Sequence, residues 1–328
     1  MYATLKESSD NRLTLETFDL HDLAWTCENN EIHVKTDDER VRFVEEAMHV
    51  VHTYLNENNI ELDPFHLSIR SELDDASGRK YGLGSSAAVV TSVVAAMLMK
   101  FLPEKPSEKL IFKLAAISHV KTQGSGSGAD VAASSYGGFL QYASFQADWL
   151  QAAYYDSVSI TELVKKDWLY FHVQPIKLPK DLYMCIGWTG KPASTHQLVI
   201  GIARLKTDNP PLYEQFLTDS EKAVSTFLNG IDRGEPSSII DGTKQNRQAL
   251  AAVGRHADVN IETPLLKTLC DLAEEYGGAG KPSGAGGGDC GIAFLPSREK
   301  AEKLAKAWEQ AGIKPLTIVA SQTGAAET

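Results

Sequence analysis

Three separated stretches of small residues gather the groups in this chain that could handle phosphate. They are Gly82-Leu83-Gly84-Ser85-Ser86-Ala87, Gly124-Ser-Gly-Ser127-Gly128-Ala-Asp130 and Ser283-Gly284-Ala285-Gly286-Gly287-Gly-Asp289. In the first, Gly82 and Gly84 permit tight backbone turns, and two serines stand where a long apolar run, 87–99, begins. A helix start offers unpaired N–H groups and the positive end of the helix dipole, both suited to phosphate. Serine hydroxyls there can bond phosphate oxygens or ligate Mg2+. On these residues alone an anion site stands level with an ordinary strand–turn–helix connection, since serine is a favoured N-cap anyway. In the second stretch Asp130 could orient a hydroxyl for attack on a γ-phosphate, or it caps the segment that follows, which is the favoured reading without context. The third lets backbone approach a ligand, or simply turns the chain from helix to strand. Asp289 and Cys290 beside it read as structural, the thiol as a small buried apolar group.

Commoner nucleotide motifs do not fit. A Walker A loop fails because Gly280-Lys281 is followed by Pro282, and Glu275 stands where the first glycine belongs. Gly82 to Ala87 and Gly124 to Ala129 both match the loose dinucleotide pattern. A polar turn separates the first from its strand and the second follows a helix, whereas that fingerprint needs glycines directly after a strand. The nine histidines show no H-E-x-x-H or paired spacing. Cys27, Cys185, Cys270 and Cys290 stand singly, which argues against zinc and against a disulfide scaffold. Lys80 and Lys191 are the cations nearest the loops, and Lys80 is better placed for an anion at the adjacent helix start.

These loops need elements to hold them. Residues 39–57 carry Val41, Val44, Met48, Val51 and Leu55 at helical spacing, and 65–73 alternates as a half-buried strand. Ser107 is a suitable N-cap for a helix over 108–121 that runs straight into the second loop. Strands are expected at 169–176 and 182–187. Helices follow at about 195–206, 211–229, 236–254 and 263–276, then a strand at 291–295, a helix at 297–311 and a last strand at 316–320. Strands and helices mixed without regular alternation give an α+β class. A strand-rich first half and a helix-rich second half suggest a boundary near 190.

The chain has 328 residues, 32 basic against 43 acidic, for a net charge of −11. That field repels nucleic acid and anionic membrane, and no basic run exceeds two residues. The apolar run 87–99 is too short to cross a bilayer. The opening MYATLKESSD has no apolar signal region and no Arg-rich pattern, which points to the cytoplasm.

Together the loops resemble those of the GHMP kinases: Gly-Leu-Gly-Ser-Ser-Ala at a helix start, an Asp-bearing Gly/Ser loop and a C-terminal Gly-rich motif. Within that superfamily, Ser71-Glu-Leu-Asp-Asp and Gly78-Arg-Lys80-Tyr-Gly-Leu-Gly-Ser-Ser86 look like the phosphomevalonate kinases of the bacterial mevalonate pathway. So do the second loop continued to Gly138, Ile186-Gly-Trp-Thr-Gly-Lys-Pro-Ala-Ser194-Thr195, and Lys281-Pro-Ser-Gly-Ala-Gly-Gly-Gly-Asp-Cys-Gly291. The order is kept along nearly the whole chain.

The resemblance implies a two-domain GHMP kinase fold: a ribosomal protein S5 domain 2-like N-terminal domain over 1–190 and a ferredoxin-like C-terminal domain over 191–328, with the active site between them. It implies ATP and Mg2+ as cofactors, the phosphates lying over Gly82, Leu83, Gly84, Ser85, Ser86 and Ala87, and the metal at Ser86. Phosphomevalonate would be held by Ser127, Ser194, Ser283, Gly284, Ala285, Gly286 and Gly287, and its 5-phosphate would attack the γ-phosphate. The attacker is already an anion, so Asp130 would orient more than deprotonate, while Lys80 would stabilise the transition state and touch the substrate. A monomer or homodimer acting on small molecules, with no nucleic-acid or membrane partner, completes the expectation. One departure stands out. The family's opening Pro-Gly-Lys…Gly-Glu-Tyr segment has no counterpart here and Lys6 does not replace it, so the N-terminal domain reads as incomplete, with weakened catalysis and an open sheet edge. Mevalonate kinase, diphosphomevalonate decarboxylase and a catalytically impaired nucleotide-binding remnant are the rival readings.

Overall fold

A computed structural model describes residues 1–73, 81–190 and 195–327. The chain divides into two compact units: Met1–Arg79, Leu83–Ile176 and Ala320–Thr328 form the first, and Lys80–Gly82 with Lys177–Val319 the second. The expected division near 190 thus falls inside the second unit.

The first unit opens with β1 (Tyr2–Glu7), β2 (Arg12–Leu15), β3 (Leu20–Glu28), β4 (Glu31–Val34), α1 (Arg42–Glu57) and β5 (Phe65–Arg70). It continues with α2 (Ser85–Phe101), α3 (Glu108–Gln123), α4 (Ala129–Tyr136), β6 (Phe139–Ala143), α5 (Ala147–Asp156), α6 (Ile160–Lys165) and β7 (His172–Ile176). Its five-stranded sheet runs β1-β5-β2-β3-β4. Only β2 and β5 pair in parallel, with Leu13 opposite Leu67 and Leu15 opposite Ile69. One face of the sheet buries Leu13, Leu15, Phe65, Leu67 and Ile69 together with Val44, Met48 and Val51 of α1.

Helix α2 is apolar on most of its circumference: Val90, Val93, Val94, Met97 and Leu98 are all fully buried. A helix hydrophobic all round lies inside a fold, so its start is anchored by its whole length. Helix α3 is buried almost as fully and begins as expected, Ser107 Oγ accepting from Leu110 N at 3.2 Å.

The second unit holds β8 (Tyr183–Trp188), α7 (Thr195–Asp208), α8 (Pro210–Arg233), α9 (Pro236–His256), α10 (Pro264–Glu275), β9 (Ala279–Pro282), β10 (Cys290–Leu295), α11 (Arg298–Gln310) and β11 (Lys314–Pro315). The antiparallel sheet runs β11-β8-β10-β9. Strand β10 is covered on both sides. Ala293 and Leu295 pack with Leu266, Leu269 and Trp308 of α10 and α11, while Phe294 packs with Ile239 and Ile240 of α9. That explains why 291–295 reads as a continuous apolar run rather than an alternating one.

One expected element is absent. Residues 316–320 do not form a strand: β11 ends at Pro315, and only Leu316 N still bonds to Ile186 O, at 2.9 Å. Proline cannot donate to a ladder, and beyond it the chain returns to the first unit. There Gly138 N bonds to Ser321 O at 2.6 Å and Ala325 N to Ser134 O at 2.9 Å. A Cβ on Gly137 would run into Thr323, and one on Gly324 into Ser135, so both glycines are fixed by this docking.

Lys113 is an ammonium inside the first core. It is 1% exposed, donates to the carbonyls of Val164 at 2.7 Å and Lys166 at 2.6 Å, and lies 5.1 Å from the Trp168 ring centroid. Burial pulls its pKa from 10.5 down to about 8. Between those values the unfolded chain holds the proton and the folded one does not, so the burial penalty is full below the lower value and fades as pH rises. In urea unfolding, the stability of the native protein relative to Lys113→Met is therefore expected to increase from about pH 7.5 to about pH 9.5. A difference independent of pH would show that Lys113 titrates normally.

Candidate active site

The serines of the first loop do not cap α2. The N-cap is Gly84, in the left-handed region at φ 73°, and no side chain caps the helix. Ser85 and Ser86 are instead its first two residues, so among the described residues the first N–H groups of α2 have no side-chain cap. This removes the ordinary serine-capped turn as the explanation of the motif. Leu83 is exposed, whereas Ala87 is buried and anchors the first turn.

Asp130 is not a cap either. Helix α4 starts from Gly128 at φ 71°, with Asp130 as its second residue and exposed. An acidic side chain there is favoured by the helix dipole. Its carboxyl group lies against Gly84: a Cβ built on that glycine would sit 3.0 Å from Asp130 Cγ and Oδ2. The first unit thus brings the start of α2 and the second-loop carboxylate together. Ser127, also exposed, accepts from Ala129 N at 3.3 Å through its hydroxyl, and its carbonyl accepts from Tyr142 OH at 2.6 Å and Ser144 Oγ at 2.8 Å.

A residue without any sequence signal joins this group. His119, deep in α3, places Nε2 3.2 Å from Ser86 Oγ. Burial lowers its pKa, with the charge of Asp130 opposing. No motif spacing marks His119, because its partner is brought to it by packing of α2 on α3.

The remaining candidates belong to the second unit. A Cβ on Gly82 (φ 74°) would lie 2.6 Å from Asp289 Cγ. Asp289 itself has φ 44°, and its carbonyl accepts from Thr189 N at 2.8 Å. In the loop from β9 to β10, Ser283 N bonds to Cys290 O at 3.0 Å, Gly286 N to Ser283 O at 3.2 Å and Gly287 N to Ile261 O at 2.7 Å. Gly286 and Gly287 are glycines for packing: a Cβ would lie 2.5 Å from Ile261 O and 2.9 Å from Leu198 Cδ1 respectively. Gly284 meets nothing and is exposed, while Ser283 and Ala285 are half-buried. Cys290 donates to Tyr81 O at 3.3 Å, and burial pushes its thiol up to about 11, which fits an inert packing role.

Thr189 was not singled out by sequence. Its Oγ1 is buried and has no hydrogen-bond partner among the described residues. Leaving a buried hydroxyl unpaired costs about 1–3 kcal/mol, and a ligand group is one way to recover that cost. Lys80, Lys191 and Ser194 lie outside the described residues.

Among the described residues no three His, Cys, Asp or Glu side chains are grouped to hold a metal by themselves. Also among them, no helix is long and apolar enough to cross a membrane. What the described residues of the first unit offer is a helix start with no side-chain cap, two hydroxyls and a carboxylate, a set suited to binding and orienting a transferable phosphoryl group.

Residues 42–138 match the family described as GHMP kinases N terminal domain, and residues 242–314 match GHMP kinases C terminal. The chain is 35% identical over 281 residues to a phosphomevalonate kinase of Streptomyces sp. strain CL190, covering 85% of this chain and 74% of that one. A crystal structure of a Lin0012 protein from Listeria innocua matches with TM-score 0.92 and 38% identity, over 99% of this chain and 90% of that one. Streptococcus pneumoniae phosphomevalonate kinase, solved with phosphomevalonate and AMPPNP, matches with TM-score 0.82 and 25% identity, over 97% and 89%.

Two substitutions probe these loops. Gly84→Ala combines a strained φ with displacement of Asp130, and is expected to cost about 1 kcal/mol of stability but a far larger share of any turnover. Thr189→Val is expected to raise the stability of the free protein by about 1 kcal/mol while raising KM for a substrate. Stabilisation with unchanged KM would assign Thr189 no ligand.

Proposed function

This chain belongs to the GHMP kinases, and we propose that it transfers the γ-phosphoryl group of ATP to (R)-5-phosphomevalonate, giving 5-diphosphomevalonate and ADP in the mevalonate pathway of isoprenoid biosynthesis. The observation that carries the kinase reading is the Asp130 carboxyl group lying against Gly84 at the uncapped start of α2. The choice of substrate is supported by likeness to the Streptomyces and pneumococcal phosphomevalonate kinases. A cytoplasmic monomer or homodimer is part of this reading.

In the first unit, the N–H groups at the start of α2 and the hydroxyls of Ser85 and Ser86 bind the ATP phosphates, with Leu83 to Ala87 as the binding loop; Gly82, which opens the same motif, belongs to the second unit. The donor set there is hard oxygen, which suits Mg2+. That ion keeps several waters and relies on substrate phosphates plus one or two protein oxygens, so the lack of a grouped ligand set among the described residues is compatible with it. Ser86 would hold it, and when bound it supplies charge neutralisation at the β- and γ-phosphates.

An oxygen of the 5-phosphate forms the new bond to the γ-phosphorus while the bond from that phosphorus to the β,γ-bridging oxygen breaks, and ADP leaves. No strong base is needed, because the attacking oxygen is already anionic. Asp130 orients the incoming group, Ser127 contacts it, and Lys80 and Ser194 supply further contacts to its anionic charge by this reading. In the second unit the loop from Ser283 through Gly284, Ala285, Gly286 and Gly287 offers backbone to phosphate oxygens.

The test is ADP release with Mg2+-ATP, offering phosphomevalonate and mevalonate separately. Turnover is expected with phosphomevalonate, and turnover with mevalonate alone would overturn the assignment in favour of a mevalonate kinase. Asp130→Asn is expected to lower kcat by about tenfold to a hundredfold through lost orientation, with KM for ATP little changed.

A further inference from the structure

We propose that His119 is a positioning residue for Ser86: Nε2 accepts the Ser86 hydroxyl proton across 3.2 Å, turning the serine lone pairs toward the metal–nucleotide complex. The inference rests on the kinase reading above. A serine hydroxyl carries one proton and two acceptor lone pairs. To serve a cation it must present a lone pair and send its proton elsewhere. Among the described residues, the partner within reach of the Ser86 hydroxyl is on another helix, His119 of α3.

His119 meets that need. It is 8% exposed, and its ring sits 5.5 Å from that of Phe43 on α1 at an interplanar angle of 34°. The acceptor is therefore held by contacts from α1, α2 and α3 rather than by a mobile side chain. A hydrogen bond that merely ties α2 to α3 would stabilise the fold without regard to metal, and the two roles part experimentally.

ATP affinity is measured by calorimetry with Mg2+ and with EDTA for the native protein, Ser86→Ala, His119→Phe, His119→Gln and the Ser86→Ala/His119→Phe pair. The first two variants that remove the interaction, Ser86→Ala and His119→Phe, are expected to weaken binding about tenfold in Mg2+ and little in EDTA. The pair should be no weaker than Ser86→Ala alone, as expected of residues acting as one. His119→Gln, whose amide oxygen can accept, should retain most of the affinity. A His119→Phe variant that melts earlier yet keeps the full Mg2+ increment would overturn the inference, as would additive effects in the pair. Should His119→Phe fail to fold, 15N NMR of the labelled native histidine decides: an unprotonated Nε2 supports acceptance, and a protonated one overturns it. A native protein that binds no ATP in either condition would overturn the kinase reading itself.

Discussion

A carboxyl group occupying the space where a side chain would otherwise be is the constraint on which the first unit's site depends. Because Asp130 lies against the α-carbon of Gly84, position 84 must be glycine, and because it is a glycine at positive φ it can end one turn and begin α2 without a side chain to cap it. The serines are thereby moved into the first turn of the helix, where their hydroxyls are not spent on backbone N–H groups. One of them is spent on His119 instead. A single close approach between the start of α2 and the first turn of α4 thus sets two serine hydroxyls in the first turn of the helix, away from its cap position, and holds a carboxylate beside them.

The second unit uses the same device for a different end. Gly82 lies under Asp289 as Gly84 lies under Asp130, but Asp289 has positive φ and its carbonyl is tied to Thr189 N, so its backbone is committed to shaping the turn into β10. Gly286 and Gly287 are likewise consumed by Ile261 and Leu198. Glycine content alone therefore conceals unequal roles. The glycine before α2 clears space around groups able to do chemistry, whereas those before β10 largely clear space for packing.

The helices were legible where one face repeats, as in α1, or where a cap is written in the sequence, as at Ser107. The strand β1 left little trace, because it alternates exposed and half-buried positions with no fully buried residue, and β2 and β4, though they contribute buried residues, are only four residues long. The stretch 316–320 has a strand's composition, yet Val319 is 92% exposed, since composition cannot report that the chain must leave the sheet after Pro315. Of the site, the glycine loops and Asp130 were visible as motifs and assigned to phosphate by resemblance. His119 and Thr189 were not, because what distinguishes them is a neighbour or the lack of one, and both are set by tertiary packing.

The returning tail gives the connectivity a further meaning. Ala320–Thr328 belongs with the first unit although Lys177–Val319 before it belongs with the second, and Lys80–Gly82 is an excursion in the opposite direction. Neither unit is a continuous stretch of polypeptide. A gene fragment ending after Ile176 would lack the tail that Gly137 and Gly138 are shaped to receive, and one beginning at Lys177 would lack Tyr81, whose carbonyl accepts a hydrogen bond from the Cys290 thiol. A cut at any one point in the chain therefore leaves at least one unit without a segment that belongs to it.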